Sequence, residues 1–451
     1  MEPRSHAGSP SSCPYTVGLT PLHGQRLEQD LDAVYADLRR RRGPVAAVEI
    51  DPGVTAWLVL PGGAGGRLEH GAVLQRPTPV DHPGPRTAAR GLAPAAAPRP
   101  PARRVPARRG EHLQHRRATT AALGHIDLRQ LSRLVRHRAN ALVDALAARG
   151  TADLVAEYSR PLVWHVFAHP PGVSEDVITT IDPLVKTIAN ALPCAAPAEA
   201  DLLNALRRLV AERSVAPGPD LASWPAQEAP LTDDEIAHNL LDLVLIGGEG
   251  AVSRIGNAVR VFPAQDGPAA ATRPGDLVPR LVEHALCTAA PLPNTTGRWA
   301  TADTVLAGYR MHAGDLVIPC LAAANADPEL QDTPALRTRA HLAWGTDSHG
   351  CRAEDAARPI TETAVEVLLN RLPGIRPGIP DAALRRPSPW CGAPAPVAVV
   401  FPATGPARTG RDPVAPPATV MDAPAELRDD GATGGAAPQR WGCWNSFGGG
   451  W

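Results

Sequence analysis

One long helix, predicted over residues 233–262, constrains this chain more than any other feature. It begins at Thr232-Asp233-Asp234-Glu235, a capping box in which the threonine and glutamate side chains bind free backbone N–H groups, and ends before Pro263. About 30 residues at roughly 1.5 Å each span about 45 Å. Its middle holds Gly247-Gly248-Glu249-Gly250, and each interior glycine costs up to about 1 kcal/mol relative to alanine. We therefore expect another group to come close to this stretch of backbone.

Apolar periodicity predicts further helices along much of the chain. They cover 22–42, 111–150, 152–168, 174–191, 199–212, 277–287 and a segment after Cys351. Two apolar runs, VAAVEI and TAWLVL, flank Asp51-Pro52-Gly53 and predict a β-hairpin. Residues 297–325 alternate like paired strands with turns at Gly308 and Ala313-Gly314, and VAVVF at 397–401 predicts a final strand.

The composition excludes several classes of protein. The 451 residues carry 45 Lys and Arg against 46 Asp and Glu, a balance that argues against a dedicated nucleic-acid or membrane-surface protein. No run approaches the roughly 20 apolar residues of a membrane-spanning helix, and the first residues lack the apolar core of a signal peptide. The 7 cysteines are scattered without a CxxC pair, which favours a reducing compartment. We expect a soluble cytoplasmic protein.

Three segments have a different character from the rest. Residues 1–16, 61–110 and 403–451 are rich in Pro, Gly, Ala or Ser and show no apolar period, so we predict disorder at both ends and a disordered basic insert at 61–110. A nucleic-acid-binding arm is the alternative for the insert, but no aromatic residues alternate with its arginines. A stretch read out of frame would also explain its composition. The folded body is then 17–402.

The segment 341–359 carries the clearest chemical signal. It reads HLAWGTDSHGCRAEDAARP and combines a loop, Cys351 and the start of a predicted helix. A thiolate at a helix N-terminus is stabilised by the helix dipole and free N–H groups. From these residues alone, Cys351 could be a metal ligand, a nucleophile or a buried small side chain.

This segment resembles a known haem-binding loop. Trp344-Gly345-x-x-x-His349-x-Cys351-x-Ala353 is similar to the cytochrome P450 pattern Phe-Gly-x-Gly-x-His/Arg-x-Cys-x-Gly/Ala. The resemblance implies that Cys351 is the proximal iron ligand, that Gly345 belongs to the cofactor-binding loop and that His349 faces a haem propionate. Thiolate donation of this kind favours cleavage of the O–O bond.

Other segments resemble the same family in the same order. Residues 246–250 and Ile255-Gly256-Asn257 are similar to the family's central helix, so Gly248, Glu249 and Gly250 are implied to border the oxygen site. The start of the 111–150 helix resembles a propionate-binding helix. His112 and Arg116 there are four residues apart and share one helix face. Arg298 lies where a further propionate-binding arginine is expected. The resemblance covers 17–60 and 111–401.

The chain departs from the family pattern at four places. Gly250 stands where the family has a hydroxyl-bearing residue, and Ser253 is the nearest substitute. The Glu-x-x-Arg motif is replaced by His284-Ala285-Leu286-Cys287, and counting from Glu283 also yields no arginine. Asp347 replaces the second loop glycine. Pro359 lies early in the helix after Cys351, where we expect a kink or a late helix start.

The resemblance implies a mainly α fold with small β-sheets and a haem-thiolate monooxygenase. Haem b would be the cofactor, a hydrophobic small molecule the substrate, and a ferredoxin with its reductase the electron source. No nucleic acid or membrane is expected as a partner. Because of the departures, an alternative is a catalytically impaired haem- or ligand-binding protein. A further alternative is a decayed gene product that does not fold stably.

Overall fold

The computed structural model describes most of the body of the chain. The described residues are 19–23, 25–51, 54–60, 74–75, 109–168, 175–190, 195–262, 274–295, 298–300, 303–312, 314–326, 341–345, 350–380, 388–390 and 396–403. The predicted disordered ends 1–16 and 403–451, except Ala403, lie outside them, as does all of the insert except 74–75 and 109–110.

Helices make up most of the described structure, as the sequence predicts. They are α1 Gln25–Gln29, α2 Leu31–Arg42, α3 Arg109–Gly124, α4 Leu128–Leu146, α5 Arg160–Ala168, α6 Glu175–Ala189, α7 Ala195–Val215, α8 Trp224–Glu228, α9 Asp233–Asp242, α10 Glu249–Arg260, α11 Pro274–Thr288, α12 Leu321–Asn325 and α13 Glu354–Arg371. Two π-helical segments, Val155–Ser159 and Leu243–Gly248, lie directly before α5 and α10.

Short strands form three small sheets. The strands are β1 Thr20–Pro21, β2 Val45–Asp51, β3 Val54–Val59, β4 Leu74–Gln75, β5 Thr151–Asp153, β6 Arg298–Ala300, β7 Thr304–Leu306, β8 Tyr309–Met311, β9 Leu316–Pro319, β10 Arg376–Pro377 and β11 Ala398–Val400. The largest sheet has the order β1-β2-β3-β9-β6-β4, a second has β10-β11-β5, and β7 pairs with β8. The predicted class, mainly α with small β-sheets, is confirmed.

The predicted hairpin is confirmed, and two predicted helices are each divided in two. In the hairpin, β2 and β3 pair antiparallel with Val48 opposite Ala56. The 22–42 helix breaks at Asp30, whose side chain accepts a hydrogen bond from Ala33 N and begins α2. The 111–150 helix breaks similarly at Asp127, which caps α4. Leu27 and Leu31 are buried on either side of the first division, so apolar periodicity alone does not reveal it. At the second division residues 124–130 are exposed or half-buried.

The long predicted helix exists, but it is not α-helical throughout. Thr232 and Glu235 form the predicted capping box at the start of α9. The chain then follows a π-helical path over Leu243–Gly248 before α10 continues to Arg260. Such π segments are rare and are often found at functional sites. The π segment ends within the glycine-rich stretch, at Gly248, and α geometry resumes at Glu249.

A large apolar core surrounds the second half of this long helix. Side chains of α4, α5, α10, α11 and α13 meet there, and Val135, Leu162, Val252, Ile255 and Val365 are fully buried. Helix α13 begins at Glu354 and continues through Pro359, so the late helix start expected from the proline is wrong. The strands β5 and β10 and the π segment before α5 are absent from the sequence prediction.

Within the described residues, the helices fall short of the length and apolar character that crossing a bilayer would require.

A buried hydroxyl joins the first π segment to α13 and offers a test of this packing. Tyr158 is fully buried and donates a hydrogen bond of 2.7 Å to Ala364 O. We predict that Tyr158→Phe lowers the free energy of unfolding by about 1 kcal/mol, because a buried hydrogen bond is lost without a change of shape. Urea denaturation measures the change.

The control is Tyr309→Phe. Its hydroxyl donates a hydrogen bond of similar length, 2.8 Å, to Arg42 O at the exposed surface, where water can replace the lost bond. An equal loss of stability in the two variants would contradict the packing described for Tyr158.

Candidate active site around Cys351

Cys351 lies on a closed loop directly before α13. Its N–H donates to Trp344 O at 2.7 Å, and Gly345 N donates to Leu342 O at 2.8 Å. Gly345 has a φ of 71°, a left-handed conformation that favours glycine over residues with a side chain. The loop glycine that the sequence singles out is therefore required by the backbone, and the loop holds Cys351 three residues before the helix begins.

The thiol of Cys351 is partly buried. Burial raises its pKa to about 11, while the Ala353 N–H and the guanidinium groups of Arg254 and Arg116 oppose that shift. The expected stabilisation of a thiolate by the helix start is thus outweighed by burial. A metal ion would displace the proton, because a coordinating thiol binds as the thiolate.

Arg116 connects α3 to the Cys351 loop. Its side chain is buried, and Nη2 donates to Gly350 O at 2.6 Å. Nε and Nη1 are buried without a hydrogen-bond partner in the described structure. Burial, followed by repulsion from Arg352, lowers the pKa of Arg116 to about 10. Two orphaned donors on a buried cation suit an anionic group such as a propionate.

Arg254 is a second buried cation beside the loop, and the sequence analysis missed it. It projects from α10, and its guanidinium carbon lies 4.7 Å from the centre of the Trp344 ring. Nε donates to Thr361 Oγ1 at 3.3 Å. Among the described residues it forms no ion pair with a carboxylate, and burial lowers its pKa to about 10 while Cys351 opposes that shift. The sequence signal that could have revealed Arg254 is the presence of an arginine on the buried side of the long helix.

These features fit a haem group. Cys351 offers a sulfur ligand, and the described ranges hold no group of three or more His, Cys, Asp or Glu side chains placed to bind a metal ion. Arg116 and Arg254, which lack carboxylate partners among the described residues, favour a ligand that brings negative charge. The Cys351 thiolate and the propionates of a haem group would supply that charge.

The glutamate of the long helix is already paired. Glu249 accepts hydrogen bonds from Arg160 Nη1 and Nη2 of α5 at 2.6 and 2.9 Å. Arg160 also lies 3.3 Å from Asp182 of α6. Burial raises the pKa of Glu249, and the Arg160 guanidinium opposes that shift. Glu249 is therefore directed towards α5, and its predicted part in catalysis stays a prediction.

Side chains explain two of the neighbouring glycines. A Cβ at Gly248 would lie 3.1 Å from Cη2 of Trp164, and a Cβ at Gly250 would lie 3.3 Å from Nη1 of Arg254. At Gly247 the nearest atom is Phe167 Cζ, at 4.0 Å. At Gly248 and Gly250, the group that comes close to the backbone is therefore a side chain of the protein itself.

The structure describes the other predicted cofactor residues only in part. His112 lies on α3 and Arg298 on β6. His349 and Asp347 lie outside the described residues. Their roles towards a propionate or in the loop turn stay predictions. Among the described side chains, Arg116 is the predicted propionate ligand that reaches the Cys351 loop.

The chain is similar to bacterial oxygenases along most of its body. It is 30% identical to the mycinamicin IV hydroxylase/epoxidase of Micromonospora griseorubida over 303 residues, 61% of this chain and 73% of that protein. It is 27% identical to the vitamin D3 dihydroxylase of Streptomyces griseolus over 372 residues, 77% of this chain and 87% of the relative. No family model matches the chain.

Solved structures share the fold. The cytochrome P450 PksS of Bacillus subtilis has a TM-score of 0.70 at 18% identity and covers 84% of this chain and 98% of its own. CYP154C4 from Streptomyces sp. W2061 has a TM-score of 0.69 at 23% identity, with 85% and 98% covered. The predicted fold is confirmed by these likenesses.

The buried pair of Arg160 and Glu249 leads to a pH-dependent prediction. Removing one partner of a buried ion pair typically costs about 3–5 kcal/mol, so Arg160→Met should be strongly destabilised. Without the Arg160 guanidinium, burial raises the pKa of Glu249 further in the folded state, with Asp182 acting in the same direction and Lys186 against it. A group with a raised folded-state pKa stabilises at low pH and loses that contribution as the pH rises through the folded value, so the deficit should be larger at about pH 8 than at about pH 5.

Urea denaturation at both pH values measures the deficit. In the double variant Arg160→Met/Glu249→Gln neither position carries a charge, so most of the stability lost at the higher pH should return. A deficit independent of pH, or a double variant no more stable than the single one, contradicts the pairing.

Proposed function

The chain belongs to the cytochrome P450 family, and we propose that it inserts one oxygen atom from O₂ into a hydrophobic small molecule. Electrons would come from a ferredoxin and its ferredoxin reductase. The observation that carries the proposal is the partly buried thiol of Cys351, on a closed loop beside two arginines that form no ion pair with a described carboxylate. The scattered cysteines favour a cytoplasmic location.

Haem is the cofactor of the family, and this chain offers residues to hold it. Cys351 Sγ would bind the iron, and Arg116 Nε and Nη1 would donate to a propionate. We assign His112, Arg298 and His349 to the propionates on the family pattern. Bound haem supplies the iron that binds and reduces O₂, with O–O cleavage favoured by electron donation from the thiolate.

Proton supply is where this chain differs from its family. Gly250 has no hydroxyl, and Ser253 lies three residues further along α10 and is fully buried. Both oxygens of Glu249 accept hydrogen bonds from Arg160, so this carboxylate holds no free proton while the pair is closed. We propose that ordered water beside Gly250 carries protons in place of the hydroxyl.

The alternative of a catalytically impaired binding protein finds no support among the relatives, which are described as hydroxylases and monooxygenases. One measurement distinguishes the two functions. With ferredoxin, reductase and a bound hydrophobic compound, consumption of NADPH should form oxygenated product. Consumption that releases only hydrogen peroxide would overturn the proposed function in favour of the alternative.

The ligand assignment predicts a spectroscopic result. Cys351→Ala should abolish the thiolate-type band in the difference spectrum of the reduced carbon-monoxide complex, because the sulfur ligand is removed. Cys287→Ala is the matched control, since Cys287 is also a free, partly buried cysteine but lies on α11. A purified Cys351→Ala protein that keeps the thiolate band would disprove the assignment.

Arg116 provides a separate prediction about cofactor retention. A hydrogen bond to a charged group contributes about 1.5–3 kcal/mol, so Arg116→Met should release haem about tenfold to a hundredfold faster than the unchanged protein. Transfer of haem to apomyoglobin measures the rate. Arg117→Met is the control, because Arg117 is the next residue on α3 and is exposed. Equal rates in both variants would exclude a role for Arg116 in holding a propionate.

A further inference from the structure

A buried charge cluster joins α11 to the segment that precedes Cys351. Glu283 of α11 lies within the described core, and its Oε2 accepts a hydrogen bond of 2.9 Å from His341 Nε2. Its Oε1 accepts a hydrogen bond from Arg358 Nη1 of α13. One carboxylate thus binds the chain on both sides of Cys351, ten residues before it and seven residues after it.

The hydrogen bonds of His341 assign its tautomer. Nδ1 accepts from Ala343 N at 3.3 Å, while Nε2 faces the Glu283 carboxylate. A ring that accepts at Nδ1 and donates at Nε2 is the neutral tautomer with its proton on Nε2. His341 therefore orients Ala343 and, through it, the turn that continues to Trp344.

Arg358 fixes the other side of the loop. Its Nε and Nη2 donate to Glu354 Oε1 at 2.8 and 2.7 Å, one turn earlier on α13. Its guanidinium carbon lies 5.7 Å from the centre of the Trp344 ring. The backbone oxygen of Trp344 accepts the hydrogen bond from Cys351 N. Arg358 therefore contacts both the helix that follows Cys351 and the ring that precedes it.

A second connection runs in parallel with the cluster. Asn325 Oδ1 at the end of α12 accepts a hydrogen bond of 2.7 Å from Leu342 N, and its Nδ2 donates to Leu286 O of α11 at 3.1 Å. The segment 341–345 is thus attached to α11 at two points. Burial would raise the pKa of Glu283, but hydrogen bonds from His341 and Arg358 outweigh it and lower the pKa, so Glu283 holds these partners as a carboxylate.

The family motif that would occupy α11 is absent, yet a carboxylate with a guanidinium partner is present. The positions of Glu-x-x-Arg hold His284 and Cys287. Cys287 lies four residues after Glu283, and the Glu283 carboxylate helps to raise the pKa of its thiol to about 11, after burial. Position 287 therefore lies near Glu283. Because it holds a cysteine and not an arginine, the Glu283 carboxylate pairs with an arginine from another helix.

We propose that Glu283, His341 and Arg358 are positioning residues that hold the Cys351 loop in place of the missing Glu-x-x-Arg motif, with the arginine supplied by α13 instead of α11. This inference rests on the proposed role of Cys351 as a haem ligand. It concerns the geometry of the loop, not the chemistry at the iron.

The test uses the haem-loaded full-length chain. Partners that orient a metal ligand typically contribute about tenfold to a hundredfold in metal affinity, so Arg358→Met should release haem faster by a factor in that range. Its reduced carbon-monoxide complex should also convert partly from the thiolate form to a form without thiolate ligation. Arg371→Met is the control, because it removes an ion pair with Asp144 from the exposed end of the same helix.

A second substitution distinguishes positioning from general stability. Adding Cys287→Arg to Arg358→Met places a guanidinium four residues from Glu283 on α11, a spacing at which opposite charges pair. The thiolate band and slow haem release should return. Adding Cys287→Leu instead should restore neither. Arg358→Lys, which keeps the charge, should retain most of the thiolate band even if Arg358→Met fails to fold.

The outcomes separate the two proposals. If the unchanged protein shows no thiolate band, the proposed function fails first. If it shows the band and Arg358→Met behaves like Arg371→Met, the positioning role is wrong. It is also wrong if Cys287→Leu rescues as well as Cys287→Arg, or if Arg358→Lys loses the band completely.

Discussion

The cost of burying arginine determines what this site can bind. Four guanidinium groups lie in the interior around the long helix and α13. Arg160 is neutralised by Glu249, and Arg358 by Glu283 and Glu354. Arg116 and Arg254 form no ion pair with a described carboxylate, and both act on the Cys351 thiol. Because a buried unpaired charge is expensive, these two residues favour a partner that brings negative charge, which an iron-bound thiolate and carboxylate-bearing haem supply together.

Arg254 also lies beside the position where the family hydroxyl is missing. A side chain at position 250 would start 3.3 Å from Nη1 of Arg254, closer than ordinary van der Waals contact. A side chain there would require the Arg254 guanidinium to move by a few tenths of an ångström. Glycine at 250 therefore leaves room for Arg254 to stack on Trp344.

Local signals in the sequence predicted local structure well. The Thr232–Glu235 capping box, the hairpin around residues 51–53 and the loop before Cys351 all depend on residues close together in the chain, and each is present. The π segment over Leu243–Gly248 could not be predicted, because its 6 residues are too few to show a period different from that of the flanking α-helices. Pairs such as Arg160–Glu249 and Glu283–Arg358 join residues 89 and 75 positions apart. Only the packing of helices brings them together, so the sequence left Glu249 without a partner and α11 without its arginine.

The position of Pro359 is consistent with the double role of α13. A proline inside a helix removes one N–H, so the carbonyl four residues earlier loses its partner. That carbonyl belongs to Asp355, which is exposed, and water can replace the missing hydrogen bond. The helix can therefore continue past the proline and present Arg358, the preceding residue, to Glu283. One helix thus begins just after the proposed iron ligand and also supplies the cation that holds its loop. A chain built in this way needs no arginine on α11, which accounts for a family member without the motif.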